Sequence, residues 1–242
     1  MPVYQIDEKE LHNIINNAPQ HILRIARKKE KPAQKSFDEL KDQWKHRRLS
    51  QAWVKYLGQS LEKSYQKKYN NKNIYAFPSQ FDLKKKLGIK QSEFLFDVSV
   101  GLYNSFKSTK NEGLQKLSPI HYQAHSIWQI ESEFAENTRE IAIDFSKLFA
   151  GNADYAMMVG PRGKEKTNYY MDEMKKMLMS IDTLNGKILY FLILPHPRDW
   201  TDNDHRWRSG NIWYLYKWNG KDWGNIIAKD KWEIESGNRS SL

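Results

Sequence analysis

The sequence predicts an α/β fold, one β-sheet covered on both sides by helices. Three observations carry this. Runs such as Ala153 to Val159 (ADYAMMV) and Lys187 to Leu194 (KILYFLIL) are apolar on both faces, as strands are when neither face meets water. Between and before such runs lie segments with apolar residues at helical spacing. The chain has 242 residues, 39% of them hydrophobic and 13% aromatic. A chain of that length buries about 70–75% of its unfolded surface, enough for one sizeable core.

Residues 7–29 have a helical pattern in Leu11, Ile14, Ile15, Ile22, Leu23 and Ile25, broken near Pro19 and ended by Lys31-Pro32. Residues 37–69 hold one or two helices, with Trp53, Val54, Leu57, Leu61 and Tyr65 on one face, stopped at Asn70-Asn71-Lys72-Asn73. Strands follow at Phe94 to Val100 (FLFDVSV) and Ile127 to Phe134 (IWQIESEF). A helix over 138–150 carries the stripe Ile141, Phe145, Leu148 and Phe149 and closes at Gly151. The strand from Ala153 ends at Gly160-Pro161, a Met-rich helix spans about 167–181, and the strand from Lys187 completes the sheet. Six of the nine Trp fall in 200–232, where Asn219-Gly220 between aromatic runs predicts a hairpin. No internal repeat or low-complexity linker divides the chain. It is expected to be one domain over 1–242: a basic helical extension (1–50), a core (51–195) and a Trp-rich β tail (196–242).

The formal net charge is +10, and its distribution matters more than its size. Residues 1–90 carry 20 Lys and Arg against 9 Asp and Glu, whereas residues 91–242 are close to neutral. The runs Arg27-Lys28-Lys29, Lys45-His46-Arg47-Arg48, Lys67-Lys68 and Lys84-Lys85-Lys86 concentrate the excess. Such a field attracts polyanions, of which nucleic-acid phosphates are the most abundant. A solvated lysine-rich surface is the plainer alternative. With no cysteine there is no disulfide framework, thiolate zinc site or cysteine nucleophile. No apolar stretch reaches 18 residues and the first residues, MPVYQIDEKELH, have no apolar signal region, so a cytoplasmic protein with no membrane association is expected.

Acids stand where acids are costly. Asp97 interrupts an apolar strand, a position that calls for a donor, a cation or a metal. In IWQIESEF the alternation turns Trp128, Ile130, Ser132 and Phe134 one way and Gln129, Glu131 and Glu133 the other. Two carboxylates about 6.6 Å apart along one strand face repel each other, and a divalent cation beside them relieves it. Asp97 with Glu131 supplies the kind of oxygen set that Mg²⁺ accepts.

A helix with Leu61-Glu62, a strand with Asp97, a strand with Glu131-Ser132-Glu133, then a helix and a strand: this order resembles the core of the PD-(D/E)XK, or restriction-endonuclease-like, nucleases over roughly residues 50–195. The motif is short, and the order of elements carries more than its letters. The resemblance implies a three-layer core around a central mixed sheet, with metal-binding acids at Asp97 and Glu131. The family's usual lysine position is Glu133 here, as in the Glu-x-Glu type of the BamHI-like restriction enzymes, and Phe96 stands where the family name has Pro. The family's extra helix acid falls on Glu62. Its migrated lysine would fall on Lys147, which the helical count places nearly opposite the buried stripe and therefore at the surface.

What the resemblance implies is a Mg²⁺-dependent DNA endonuclease (Mn²⁺ substituting), a type II restriction enzyme acting on double-stranded DNA as a homodimer. Asp97 and Glu131 would bind the metal and Glu133 would orient or deprotonate water. Arg47, Arg48, Lys84 and Lys85, with Arg206 and Arg208 in the polar stretch after Asp199-Trp200, are the expected nucleic-acid contacts. A repair, defence or RNA nuclease on the same core is the enzymatic alternative, and a basic binding protein with structural acids is the non-enzymatic one. His121 and His125, four apart, fit two surface histidines better than a zinc pair. His196 and His205 do not have the spacing of a histidine–asparagine–histidine nuclease, and Gly160 to Lys164 lacks the phosphate-loop pattern. The tail tryptophans are expected to pack rather than to stack on bases.

Overall fold

The computed structural model describes residues 4–18, 21–22, 42–77, 96–106, 120–134, 137–162, 167–181, 184, 186–197 and 213–226. The elements in chain order are α1 (Glu8–Asn16), α2 (Asp42–Tyr69), β1 (Ile74–Phe77), β2 (Val98–Phe106), β3 (Ile120–Ser132), α3 (Thr138–Ala150), β4 (Ala153–Pro161), α4 (Thr167–Met179), β5 (Ile188–Leu194), β6 (Tyr214–Trp218) and β7 (Trp223–Asn225). The seven strands form one mixed sheet in which spatial order follows chain order, β1 to β7. β3, β4 and β5 are parallel; every other neighbouring pair is antiparallel. The two parallel pairs are the two whose connections hold α3 and α4, as a crossover requires.

The sheet separates two apolar clusters, and alternation along each strand decides which residue joins which. Trp128 and Ile130 of β3, Tyr155 and Met157 of β4, and Tyr190 and Leu192 of β5 pack with Leu11 and Ile15 of α1 and Trp53, Leu57, Leu61 and Tyr65 of α2. Ala156, Met158, Leu189 and Phe191 point the opposite way, onto Ile141, Phe145 and Leu148 of α3 and Tyr170, Met174 and Leu178 of α4. Helices therefore cover both faces, as the continuously apolar strands predict. The caps are local: the Asp7 carboxylate accepts from Lys9 N to start α1, and the Asn137 side chain accepts from Arg139 N to start α3.

Three expectations change, and one left open is resolved. Residues 37–69 resolve into one helix over its described part, and β1 follows the Asn-rich turn where no strand was expected. The strand expected from Phe94 begins at Val98, which leaves Asp97 in the bend just before β2 rather than inside it; Phe94 and Leu95 lie outside the described residues. β3 starts seven residues earlier than expected, at Ile120, so His121 and His125 are strand residues and the helix-face pairing is lost. Its polar first half, alternating only loosely, hid it. The register of β3 on β2 slips between Val100 and Gly101, so Val100 faces Trp128 while Gly101 faces Ser126. Ile127, the extra residue, is buried on the Trp128 side, and the bulge returns Ser126 to the face of Gln129. Helix α3 spans 138–150 as expected, and the hairpin turns at Asn219-Gly220, where Gly220 has φ +95°.

Candidate active site

The antiparallel β2–β3 ladder ends with Val98 opposite Ile130, and Asp97, in the bend just before β2, is close enough to Glu131 for its charge to act on that carboxyl. Glu131 is on the α3/α4 face, because it is opposite Met158 of β4. Glu131 is 3% exposed. Asp97 is fixed by a hydrogen bond from Ser132 N to its Oδ2, 2.8 Å, which holds the bend against the end of β3. Glu133, just beyond β3, stays in line through its N–H to Val159 O at 2.9 Å.

Helix α3 lies over these acids. Lys147 Nζ is 2.5 Å from Asp144 Oδ1 and 3.9 Å from Glu131 Oε1. Lys147 keeps the surface position expected for it, its side chain 36% exposed, but its ammonium turns toward these acids. The helical count measured its angle from the stripe correctly, but Asp144 and Lys147 sit on one flank of that stripe, the flank above β3. A four-carbon stem lets an ammonium reach down from there. Asp144 is the member of the cluster that sequence reasoning missed. Its signal was available: three residues before a lysine, on the same flank, in the helix that follows Glu-x-Glu.

The electrostatics are dominated by burial. Loss of water, followed by the Asp97 charge, pushes the Glu131 carboxyl up to about 8, with Lys147 opposing and Asp144 and Glu133 adding to the rise. Burial also raises Asp97, against the Ser132 N–H that favours its charged form. Lys147 is raised, first by its hydrogen bond to Asp144, so it remains a cation. Glu131 Oε1 is buried without a hydrogen-bond partner, because 3.9 Å to Lys147 is too long for one. An orphaned, repelled carboxylate oxygen has the character of a ligand waiting for a hard cation.

No group of three or more His, Asp or Glu side chains stands ready to hold a metal among the described residues. Two carboxylates are nevertheless the usual protein share for Mg²⁺, which keeps several waters and takes phosphate oxygens for the rest. Asp97 and Glu131 fit that role by donor chemistry and by the unpartnered oxygen.

The other expected residues are placed elsewhere. Glu62 extends from α2, which packs on the other face of the sheet, and its Oε2 accepts from Ala76 N at 2.6 Å. The structure does not bring it to Asp97 and Glu131; it anchors β1 to α2. Arg47 and Arg48 belong to α2, but their side chains lie outside the described residues, as do Lys84, Lys85, Arg206, Arg208 and His205 entirely. His125 pairs with Asp154, 2.8 Å, and His196 is buried against Phe134. Trp213 is buried, and Trp218 and Trp223 pack edge to face at 5.4 Å, so these three tail tryptophans serve packing. No family model, curated protein or solved structure matches the chain.

Proposed function

We propose that the chain is a Mg²⁺-dependent nuclease that hydrolyses phosphodiester bonds in double-stranded DNA, in the manner of a type II restriction enzyme acting as a homodimer. One observation carries this reading: a buried Glu131 with an unpartnered oxygen lies near Asp97, under a charged Lys147, at the end of a sheet strand. The basic first third of the chain supports it, since a polyanion is the partner such a field attracts.

In this reading Asp97 and Glu131 hold the metal, with Asp97 kept in place by Ser132 N. The bound ion would lower the pKa of a water and neutralise charge developing on the leaving oxygen. Lys147, held by Asp144, directs its ammonium toward a phosphate oxygen at Glu131. Glu133 orients or deprotonates the attacking water, a role worth about 10²–10⁴ in rate. Arg47 and Arg48 grip backbone phosphate, which fixes position without reading bases.

The test is a digest of a plasmid of known sequence by the full chain, with and without Mg²⁺ or Mn²⁺. Discrete, metal-dependent fragments are expected; a smear would make it a non-specific nuclease. Intact plasmid with both metals, in a protein that binds DNA, would leave a binding protein whose acids are structural.

A further inference from the structure

Helix α2 carries seven Lys and Arg against two acids, Asp42 and Glu62. Two rows of four-residue step run along it. Leu49, Trp53, Leu57, Leu61 and Tyr65 form the buried row, packed on the sheet face that holds Trp128 and Tyr155. Gln51, Lys55, Gln59, Lys63 and Lys67 form the second, each two residues and so about 160° from a member of the first. Because both rows take the same step they wind together, and the second stays opposite the core along the helix. Gln51, Lys63 and Lys67 are exposed, and Lys55 and Gln59 are partly so. At 1.5 Å per residue the row is about 24 Å long.

The charge of this row is unbalanced. A lysine on a helix finds its ion pair three or four residues away, and none of Lys55, Lys63 and Lys67 has an acid at those positions. Lys63 and Lys67 are instead four apart, a like-charge pair that repels. Two nearby acids are engaged elsewhere: Glu62 Oε2 accepts from Ala76 N, and Glu10 of α1 accepts from Ser64 Oγ. Lys68, one residue off the row, donates to Gln5 O at 2.9 Å. Among the described residues the three lysines of the row form no ion pair.

A straight line of cations with amide donors between them complements a line of phosphates. An anionic membrane would need an apolar face beside the charge, and the large exposed apolar side chains among the described residues, Tyr122, Ile143 and Met179, are not on α2. Unstacked single-stranded bases would need open aromatic rings, and Trp53, Tyr56 and Tyr65 are buried. We propose that Lys55, Lys63 and Lys67, with Gln51 and Gln59, form a docking track for the phosphate backbone of double-stranded DNA, separate from the acid cluster. The track is on the α1/α2 side of the sheet and Glu131 is on the α3/α4 side, so it holds DNA away from the cleavage centre. Lysine contacts to phosphate position a duplex without reading its sequence. The choice of DNA over RNA rests on the proposed function; the phosphate contact does not.

Fluorescence anisotropy of the full chain with a labelled DNA duplex, in EDTA and between about 50 and 200 mM salt, tests it. Lys55→Gln/Lys63→Gln/Lys67→Gln should flatten the slope of log K against log salt by about 0.9 per lysine, roughly 2.7 in all. Its melting temperature should hold or rise, because the Lys63–Lys67 repulsion is gone. Lys63→Gln alone, expected to flatten the slope by about 0.9, serves should the triple variant fail to fold. Lys175→Gln/Lys176→Gln/Lys221→Gln removes the same charge from α4 and the hairpin, where Lys175 and Lys176 have exposed partners, and should leave the slope unmoved. No DNA binding by the natural chain, an unmoved slope in the row variants, or equal flattening in both triples would overturn the proposal. So would tighter binding of a duplex RNA, or row-dependent binding of phosphatidylserine vesicles with DNA binding intact. Nothing is cut in EDTA, so a plasmid left whole by Mg²⁺ while the slope changes as expected removes the nuclease reading alone. Metal-dependent fragments with an unmoved slope remove the track alone.

Discussion

Trp128 and Gln129, then Ile130 and Glu131, alternate along four residues of β3, yet the two faces they define obey different rules. On the α1/α2 side Trp128 Nε1 donates to Tyr65 Oη at 2.9 Å, and its ring stacks on Tyr155 and Tyr190 at 4.8 and 5.7 Å. Its polar atom is matched and its surface is covered. On the α3/α4 side Gln129 Oε1 and Glu131 Oε1 are equally buried and have no partner. One strand thus serves as structural keel on one face and carries the buried charge on the other, although one unpartnered hydroxyl, Ser132 Oγ, is on the keel face too. Stability and chemistry are separated by a rotation of half a turn, with no separate loop needed to hold the site.

Substitutions on the two faces should therefore have opposite signatures. The largest effect is expected at Asp97. Asp97→Asn keeps the shape and an acceptor for Ser132 N but removes the charge that would bind the metal in the proposed function, so cleavage should fall at least 10³-fold, the scale of losing a principal electrostatic group. Thermal stability should hold or rise, because repulsion with Glu131 is relieved. A buried ion pair would instead lose about 3–5 kcal/mol on breaking. A destabilised variant that still cuts would remove Asp97 from the site.

Trp128→Ala should show the reverse pattern. Emptying that volume costs about 3–5 kcal/mol, or a fall in melting temperature on the order of 10 °C for a chain of this size. Cleavage per folded molecule should be preserved. Loss of activity without loss of stability would mean that the faces are not separate.

Glu131→Gln sharpens the comparison through pH. The folded state raises this carboxyl from 4.5 to about 8. It therefore keeps a proton that the unfolded chain releases once the pH passes 4.5, and the associated stability is lost as pH rises toward 8. Glutamine has no such loss. The variant's gain in melting temperature should be small at pH 5, grow to pH 8 and level off above, as thermal denaturation across that range will show. Mg²⁺ should stabilise the natural chain at pH 8 and leave the variant unmoved; a pH-independent difference would contradict the buried, protonated carboxyl.

Glu62→Ala should have the smallest effect. It strips an acceptor from Ala76 N on the keel side, at a cost of about 1–3 kcal/mol. Glu62→Gln should recover most of it. Neither should alter the cleavage rate in a Mg²⁺ assay; a large rate loss in both would return Glu62 to the catalytic group.

The sequence made one half of this comparison easier to see than the other. Alternation from Trp128 to Glu131 separated the faces of β3 correctly, and the stripe Ile141, Phe145, Leu148 located α3, because burial writes itself as a period. Asp97 and Glu131 stood out as acids among apolar residues. The partners of these acids were less visible. Lys147 looked solvent-facing because a helical wheel records direction from an axis and ignores the reach of a long side chain past a neighbouring strand. Glu62 fell beside an apolar stripe, and only the tertiary structure shows that its stripe belongs to the opposite face. β1 has four residues, too few to establish a pattern.

The strand order bears on how the molecule is assembled. Each strand lies beside its predecessor in the chain, so every rung of the sheet closes over a limited stretch of sequence, a topology that favours rapid growth from a local start. Contacts with α1 depart from this rule: the Trp213 ring lies 5.1 Å from that of His12, and Lys217 of β6 reaches back 209 residues to Glu8 with a 2.7 Å hydrogen bond. Emerging from the ribosome, the first helix must wait for almost the whole chain before that tie can form. The sheet can grow strand by strand, but this link between its earliest and latest parts is a closing step of synthesis, so a nascent chain halted before β6 would carry α1 without its final latch.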